Sequence, residues 1–298
     1  MSLQAEAAML LAVFFVGTDF VAAKYSLEDL PPLLLAAMRF TVAGLLLCVF
    51  VRVSTPGTEP KAKDLLPLAG LGAVGVSLNQ GAYLSGLSMT NGSDAALMFA
   101  SAPVWGLVFG AVFGLERARL GGVAGILIAL LGVGLVVYDG LGQAGASLVG
   151  DLLVLLSALS WGAYAVLSLP MLSRYPPMTM AAYTVLPGGL LLAVFAVPQA
   201  GGVDWGAVGW GAWAGLAYST LLASAFAFAA WQLGVSRMGA GRTLAYLYLV
   251  TVVGVASSAL ILGDPLGVAK ILGAFAILLG VYLARRPYLR LAGNLFTQ

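Results

Sequence analysis

The chain has 298 residues, 61% of them hydrophobic and only 9% charged, with a mean hydropathy of +1.01. Soluble domains carry roughly 25% charged residues, so this chain cannot cover itself for water, and lipid is its expected solvent. A net charge of +2 with no massed basic block excludes a nucleic-acid partner; the lack of histidine excludes His metal sites, Ser-His catalysis and His proton relays; and the lone Cys48 excludes an internal disulfide.

A bilayer core needs roughly 20 apolar residues per helix. In chain order the sequence predicts ten such spans, near 6–24, 32–52, 65–84, 92–114, 120–138, 149–169, 177–197, 207–234, 241–262 and 266–285. The residues before the first span lack a basic leader region, so that span is expected to be retained. Glu28-Asp29-Leu30-Pro31-Pro32, Thr55-Pro56-Gly57, Gly140-Leu141-Gly142 and Arg174-Tyr175-Pro176-Pro177 punctuate the runs. No gap can hold a soluble domain. With ten spans, Arg52, Lys61, Lys63, Arg117, Arg119, Arg174, Arg237, Arg242, Arg285, Arg286 and Arg290 fall on one side. Only Lys24 and Lys270 lie near the loops of the other. The positive-inside rule then places both termini in the cytoplasm of a multi-pass protein of the cell (inner) membrane.

The sequence repeats internally. Shifting residues 11–50 by 145 positions lays Gly17 on Gly162, Pro31-Pro32 on Pro176-Pro177, Ala36-Ala37 on Ala181-Ala182 and Gly44 on Gly189. Late in each half a shift of 148 lays Gly125 on Gly273, Gly132-Val133 on Gly280-Val281 and Glu116 on Asp264. Each half, 1–140 and 148–286, is expected to hold five helices, with 287–298 as a cytoplasmic tail. Five is odd, so the second half enters the membrane inverted, an architecture that lets two halves open a central site to alternate sides. The fold class is all-α: a polytopic membrane protein of ten transmembrane helices in two inverted five-helix repeats.

These residues resemble a known family. Gly17-Thr18-Asp19-Phe20-Val21-Ala22-Ala23-Lys24, Pro31-Pro32-Leu33 through Ala36-Ala37-Met38-Arg39-Phe40, and Ala95-Ala96-Leu97 through Ala102-Pro103 to Leu115-Glu116-Arg117 carry the likeness. So do Gly150-Asp151-Leu152 through Ser160-Trp161, and Ala245-Tyr246-Leu247 through Gly263-Asp264-Pro265. The ordered set, spanning nearly the whole chain, resembles the drug/metabolite transporter superfamily, in particular its EamA-type ten-helix exporters. The chain departs from that pattern at Val16, Asp19, Thr251 and Asp264, where the family often has Trp, Asn, Pro and Glu. The resemblance implies export of amino acids or other small metabolites.

Ionisable and polar residues inside the membrane default to functional candidates. Asp19 is expected to pair with Lys24 or Arg39 or to contact a cationic part of a substrate. Arg39 suits helix docking or snorkelling, and Lys24 the interface. Asn79, Gln80 and Tyr83 offer an amide pair and a phenol to a polar solute, or hydrogen bonds between helices. Trp105, Trp161, Tyr164, Trp231, Tyr246 and Tyr248 are candidate cavity aromatics, set against the interfacial aromatic belt to which Trp205, Trp210 and Trp213 are assigned. Pro103 and Pro187 are candidate kinks or gating joints. Gly70-Leu71-Gly72-Ala73-Val74-Gly75 matches a dinucleotide motif but sits in an apolar helix without its strand, so it is dismissed.

The reading is a secondary transporter with a midplane cavity, exporting small metabolites, amino acids and aromatic ones among them, by alternating access. Its alternatives are a carrier for drug-like compounds or nucleotide-sugars, an intramembrane enzyme, and a channel. The acids Asp19 and Asp94 are not evidently paired in the sequence, which weighs against the enzyme. The expected partners are a small-molecule metabolite and the lipid bilayer, with no cofactor and no metal; the chain is consistent with a monomer.

Overall fold

A computed structural model describes residues 3–113, 120–140, 147–228, 230–231 and 240–295. The described residues form helices and no strands. In chain order the helices are α1 (Leu3–Leu27), α2 (Pro32–Ser54), α3 (Ala62–Leu87), α4 (Gly92–Val112), α5 (Leu120–Gly140), α6 (Leu148–Leu167), α7 (Pro177–Ala200), α8 (from Trp210–Tyr218), α9 (from Ala240–Ser257) and α10 (Val268–Leu295). Seven of them, α1 to α7, contain segments long and apolar enough to cross a membrane, and Leu249–Leu262 and Val268–Gly280 are shorter apolar helices. α10 runs to Leu295, past the end expected at residue 285.

Why these residues form helices follows from their solvent. Hydrocarbon offers no hydrogen-bond partners, so each backbone group must be satisfied within its own segment. The caps are those of a chain re-entering water: Pro32 and Pro177 open α2 and α7, where a missing N–H costs nothing, and Ser147 caps α6 by accepting from the Gly150 N–H at 3.3 Å. The outward faces are apolar; Leu131 and Phe275 are each 69% exposed.

Three of the described helices carry π segments and a fourth is broken. α3 carries a π segment over Ala73–Leu78, α8 one over Ser219–Phe226, and α9 ends in one over Ser258–Leu262. The first two overlap under the 145-residue shift. α4 breaks at Ala100–Ser101, and its second piece, Ala102–Val112, has Pro103 in its first turn. Pro103 therefore ends the first piece just before it, the expected effect of a missing donor and a ring clash. Pro187 lies inside an uninterrupted α7.

Glycines set the packing. α2 lies against α7: a Cβ on Gly44 would stand 2.6 Å from Leu186 Cα, and one on Gly189 2.6 Å from Phe40 C. α5 lies against α10: a Cβ on Gly132 would meet Gly273 O at 2.7 Å, and one on Gly280 would meet Gly125 O at 2.5 Å. In both pairs rising numbers on one helix meet falling numbers on the other, so the partners run antiparallel. α1 packs on α8 and α9, and α6 on α3 and α4. The α2–α7 pair flanks α3 and α8, and the α5–α10 pair lies beside α4 and α9.

Candidate functional site

Asp19, late in α1, and Arg39, two turns into α2, form an ion pair at 2.7 Å with side chains only 6% exposed. The Ser219 hydroxyl donates to Asp19, and Arg39 Nε donates to Ser224 Oγ at 2.8 Å. Both serines sit in the π segment of α8. The wide turn there brings two hydroxyls to one charge pair on two other helices. Arg39 Nη1 is buried without a hydrogen-bond partner. Of the expected partners of Asp19, Arg39 is thus the one taken. Arg39 does not snorkel: its guanidinium points inward, over the Phe40 ring at 5.1 Å.

Tyr83 joins this group. It is buried, packed edge-on to Phe20 at 5.7 Å and to Phe99 at 6.1 Å, and lies within the field of both Asp19 and Arg39. Asn79 is fully buried one turn earlier. Its amide donates to Ser157 O at 2.8 Å and Ser157 Oγ at 2.9 Å, tying α3 to α6, and its oxygen accepts from Gln80 at 2.6 Å. Gln80 is half-buried. The rings of Trp161 and Tyr164 meet at 5.4 Å on α6, tilted by 34°, Tyr164 lies on Gly75, and its hydroxyl is 3.3 Å from Thr184 Oγ1. Gly162 rests against Trp105 of α4, whose indole N–H is buried and unpartnered. Trp161 and Tyr164 are therefore in ring contact, and Trp105 packs on Gly162 beside them in the chain. Tyr246 and Trp231 are half-buried, and the side chain of Tyr248 lies outside the described residues. Trp205, before α8, and Trp213, on it, stack at 6.2 Å, and Trp210 is 85% exposed.

A second charge cluster was missed by the sequence reading, which treated Asp94 as unpaired and Lys270 as a loop cation. The structure corrects both. Lys270 Nζ is 2.8 Å from Asp94 Oδ1, with the lysine side chain wholly inaccessible. Lys270 also donates to Pro265 O at 2.8 Å and Ser93 Oγ at 3.3 Å. Asp264 accepts from the Ser93 N–H at 2.7 Å, and Asn91 donates to Asp94 at 3.2 Å. Thr90 donates to Asp151 at 2.5 Å beside them. Lys24 is half-buried and lies in the field of Asp94 and Asp264. The signal that could have found this cluster is a lysine two residues into a helix, where its charge opposes the helix dipole and needs nearby acids.

The opposite end is tied more lightly. Asp64 accepts from Arg174 at 3.2 Å and from the Tyr175 hydroxyl at 2.6 Å, and Thr58 meets Thr179 at 2.9 Å. The hydrogen bond to Asp64 raises the Tyr175 phenol above its ordinary range. A groove lined by Leu45, Cys48, Val49, Arg52, Tyr183, Leu186 and Pro187 lies between α2 and α7, away from both charge clusters. Pro187 thus faces this groove.

An apolar helical bundle with paired charges inside it defines a class, the polytopic membrane protein. The comparisons give the family. The chain belongs to the EamA-like transporter family, whose profile matches residues 3–138 and again 148–286. Among its relatives, an uncharacterized transporter of Archaeoglobus fulgidus is 28% identical over 93% of this chain and 96% of its own. A probable terminal-alkyne amino-acid exporter of Streptantibioticus cattleyicolor is 30% identical over 94% and 92%. A probable amino-acid metabolite efflux pump of Salmonella typhimurium is 28% identical over 92% of each. A crystal structure 23% identical in sequence matches with a TM-score of 0.61 over 94% of this chain and 97% of its own, which shows a shared fold.

Proposed function

We propose that the protein is a secondary transporter of the cell (inner) membrane that exports small metabolites, amino acids foremost, by alternating access. Its working units are two inverted five-helix repeats, 1–140 and 148–286, giving ten spans with both termini and the tail 287–298 in the cytoplasm. One observation carries this reading: the contacts between halves are reciprocal. Gly44 packs on Leu186 as Gly189 packs on Phe40 and Thr41, and Gly132 packs on Gly273 and Ile277 as Gly280 packs on Gly125 and Ala129. Gly17 packs on Val250 and Val253 as Gly162 packs on Ala102 and Trp105. These are the contacts that the 145- and 148-residue shifts exchange. A body built so can trade the conformations of its halves and reach the state related by the pseudo-two-fold axis with little loss of packing.

The solute site in this reading combines Asp19, Asn79, Gln80 and Tyr83 with the aromatics Trp105, Trp161, Tyr164, Trp231, Tyr246 and Tyr248; Pro103 shapes its wall, and Pro187, on the separate α2–α7 groove, serves as a joint. Arg39 adds a buried guanidinium nitrogen free to take a carboxylate, as Asp19 can take an ammonium, which suits a zwitterion. The relatives named for amino-acid export support this class of solute. The test is release of labelled phenylalanine and threonine from liposomes holding the purified protein. Saturable release that falls at least tenfold in Trp161→Ala or Asp19→Asn is expected. No movement of any solute across a broad metabolite panel overturns the reading.

A further inference from the structure

Lys270 has no exposed surface, yet it sits in the first turn of α10, where the helix dipole repels a cation. Burying an ammonium costs several kcal/mol after relaxation, so the fold holds it there only because the acid of another element answers it. That acid, Asp94, is in the first turn of α4, in the other repeat. Asp264, from the segment before α10, accepts from the Ser93 N–H and so caps α4 across the same boundary. The backbones are in contact too: a Cβ on Gly92 would lie 2.5 Å from Ser258 Oγ of α9. The Lys270–Asp94 pair, the Lys270–Ser93 and Ser93–Asp264 hydrogen bonds and the Gly92–Ser258 approach all join one repeat to the other, at one end of the bundle, and beyond it lie Tyr83 and Asp19.

We propose that Asp94, Lys270 and Asp264 form a clasp that closes the solute path at this end and must come apart for it to open. The inference rests on the transport reading above. Charges suit such a device. In the closed state they are dry and paired; on opening, water enters and solvates both partners, so the pair is exchanged for hydration rather than for an unpaired charge. An apolar contact of equal area offers no such exchange and would favour the closed state throughout.

The test uses the full chain with Cys48→Ala and a reporter, Gln80→Cys, in proteoliposomes treated with a membrane-impermeant methanethiosulfonate from the clasp side. Labelling is expected to be slow with the clasp intact and at least tenfold faster in Asp94→Asn and in Lys270→Met. The exchange Asp94→Lys with Lys270→Asp should return it towards slow. Well-folded single variants that label at the parent rate overturn the clasp. Should those variants fail to fold, a second arm decides: Ser93→Cys with Asp264→Cys, oxidised, should stop release of labelled phenylalanine, and reduction should restore it. Unchanged release from the oxidised pair overturns the clasp. If labelling responds but nothing in the metabolite panel moves in the parent, the clasp stands and the transport reading falls.

Discussion

Removing one partner of a buried ion pair strands the other charge in a dry site, at a cost of about 3–5 kcal/mol, whereas replacing both with apolar residues is often neutral. Asp19 and Arg39 can be sorted by that contrast, because a structural pair and a solute-binding pair respond differently. Arg39→Leu alone should lower detergent-phase stability by about 3–5 kcal/mol, read as a large drop in unfolding temperature. Asp19→Leu with Arg39→Met should restore most of it. If the double variant is stable but no longer releases phenylalanine, the charges handle solute; if it is stable and active, they only dock helices, and the zwitterion reading fails. These two residues were legible in the sequence because each is a lone charge within an apolar run. Lys270 and Asp94 were not. Each stands near the end of its span with no partner nearby in the sequence, and their pairing depends on two segments meeting that lie far apart in the chain.

At the scale of elements, lipid supplies no hydrophobic drive between helices, so close backbone approach does the packing and small residues mark it. Gly44 and Gly189 are the test. Gly44→Val or Gly189→Val forces a branched side chain onto backbone atoms 2.6 Å from the Cβ position, and each should destabilise by about 1–3 kcal/mol or more. Gly211→Ala, whose Cβ meets nothing within 4 Å, should leave the unfolding temperature unchanged. Equal losses at all three positions would argue against the α2–α7 seam. The spans themselves were readable, since length and apolarity alone decide them. The π segments were not. The extra residue in each turn answers to a neighbouring helix: Ser160 donates to Val74 O at 2.6 Å, and Ser77 to Gly188 O at 2.8 Å. No periodicity within α3 records those partners.

For the whole molecule the decisive quantity is parity. α2 and its repeat mate α7 run antiparallel, as do α5 and α10, and an odd number of crossings must separate mates that face opposite ways. The two ends of the bundle differ in chemistry as this requires. One gathers Asp29, Asp94, Asp151 and Asp264 with two inward-turned lysines, and the other carries Lys61, Lys63 and Arg174 around Asp64. The second carries the exposed Lys61, Lys63 and Arg174 that the positive-inside rule expects at a cytoplasmic face, whereas among the described residues of the first Lys270 is wholly buried and Lys24 half-buried. Fluorescent-protein and phosphatase reporters fused at the C-terminus, and substituted cysteines at Gly57, Asp29 and Trp205, read this directly. The C-terminus and position 57 should report cytoplasm, and positions 29 and 205 the far side. A C-terminus on the same side as position 29 would mean an even number of crossings between mates. The halves would then be parallel, and the reciprocal glycine seams could not serve to exchange their conformations.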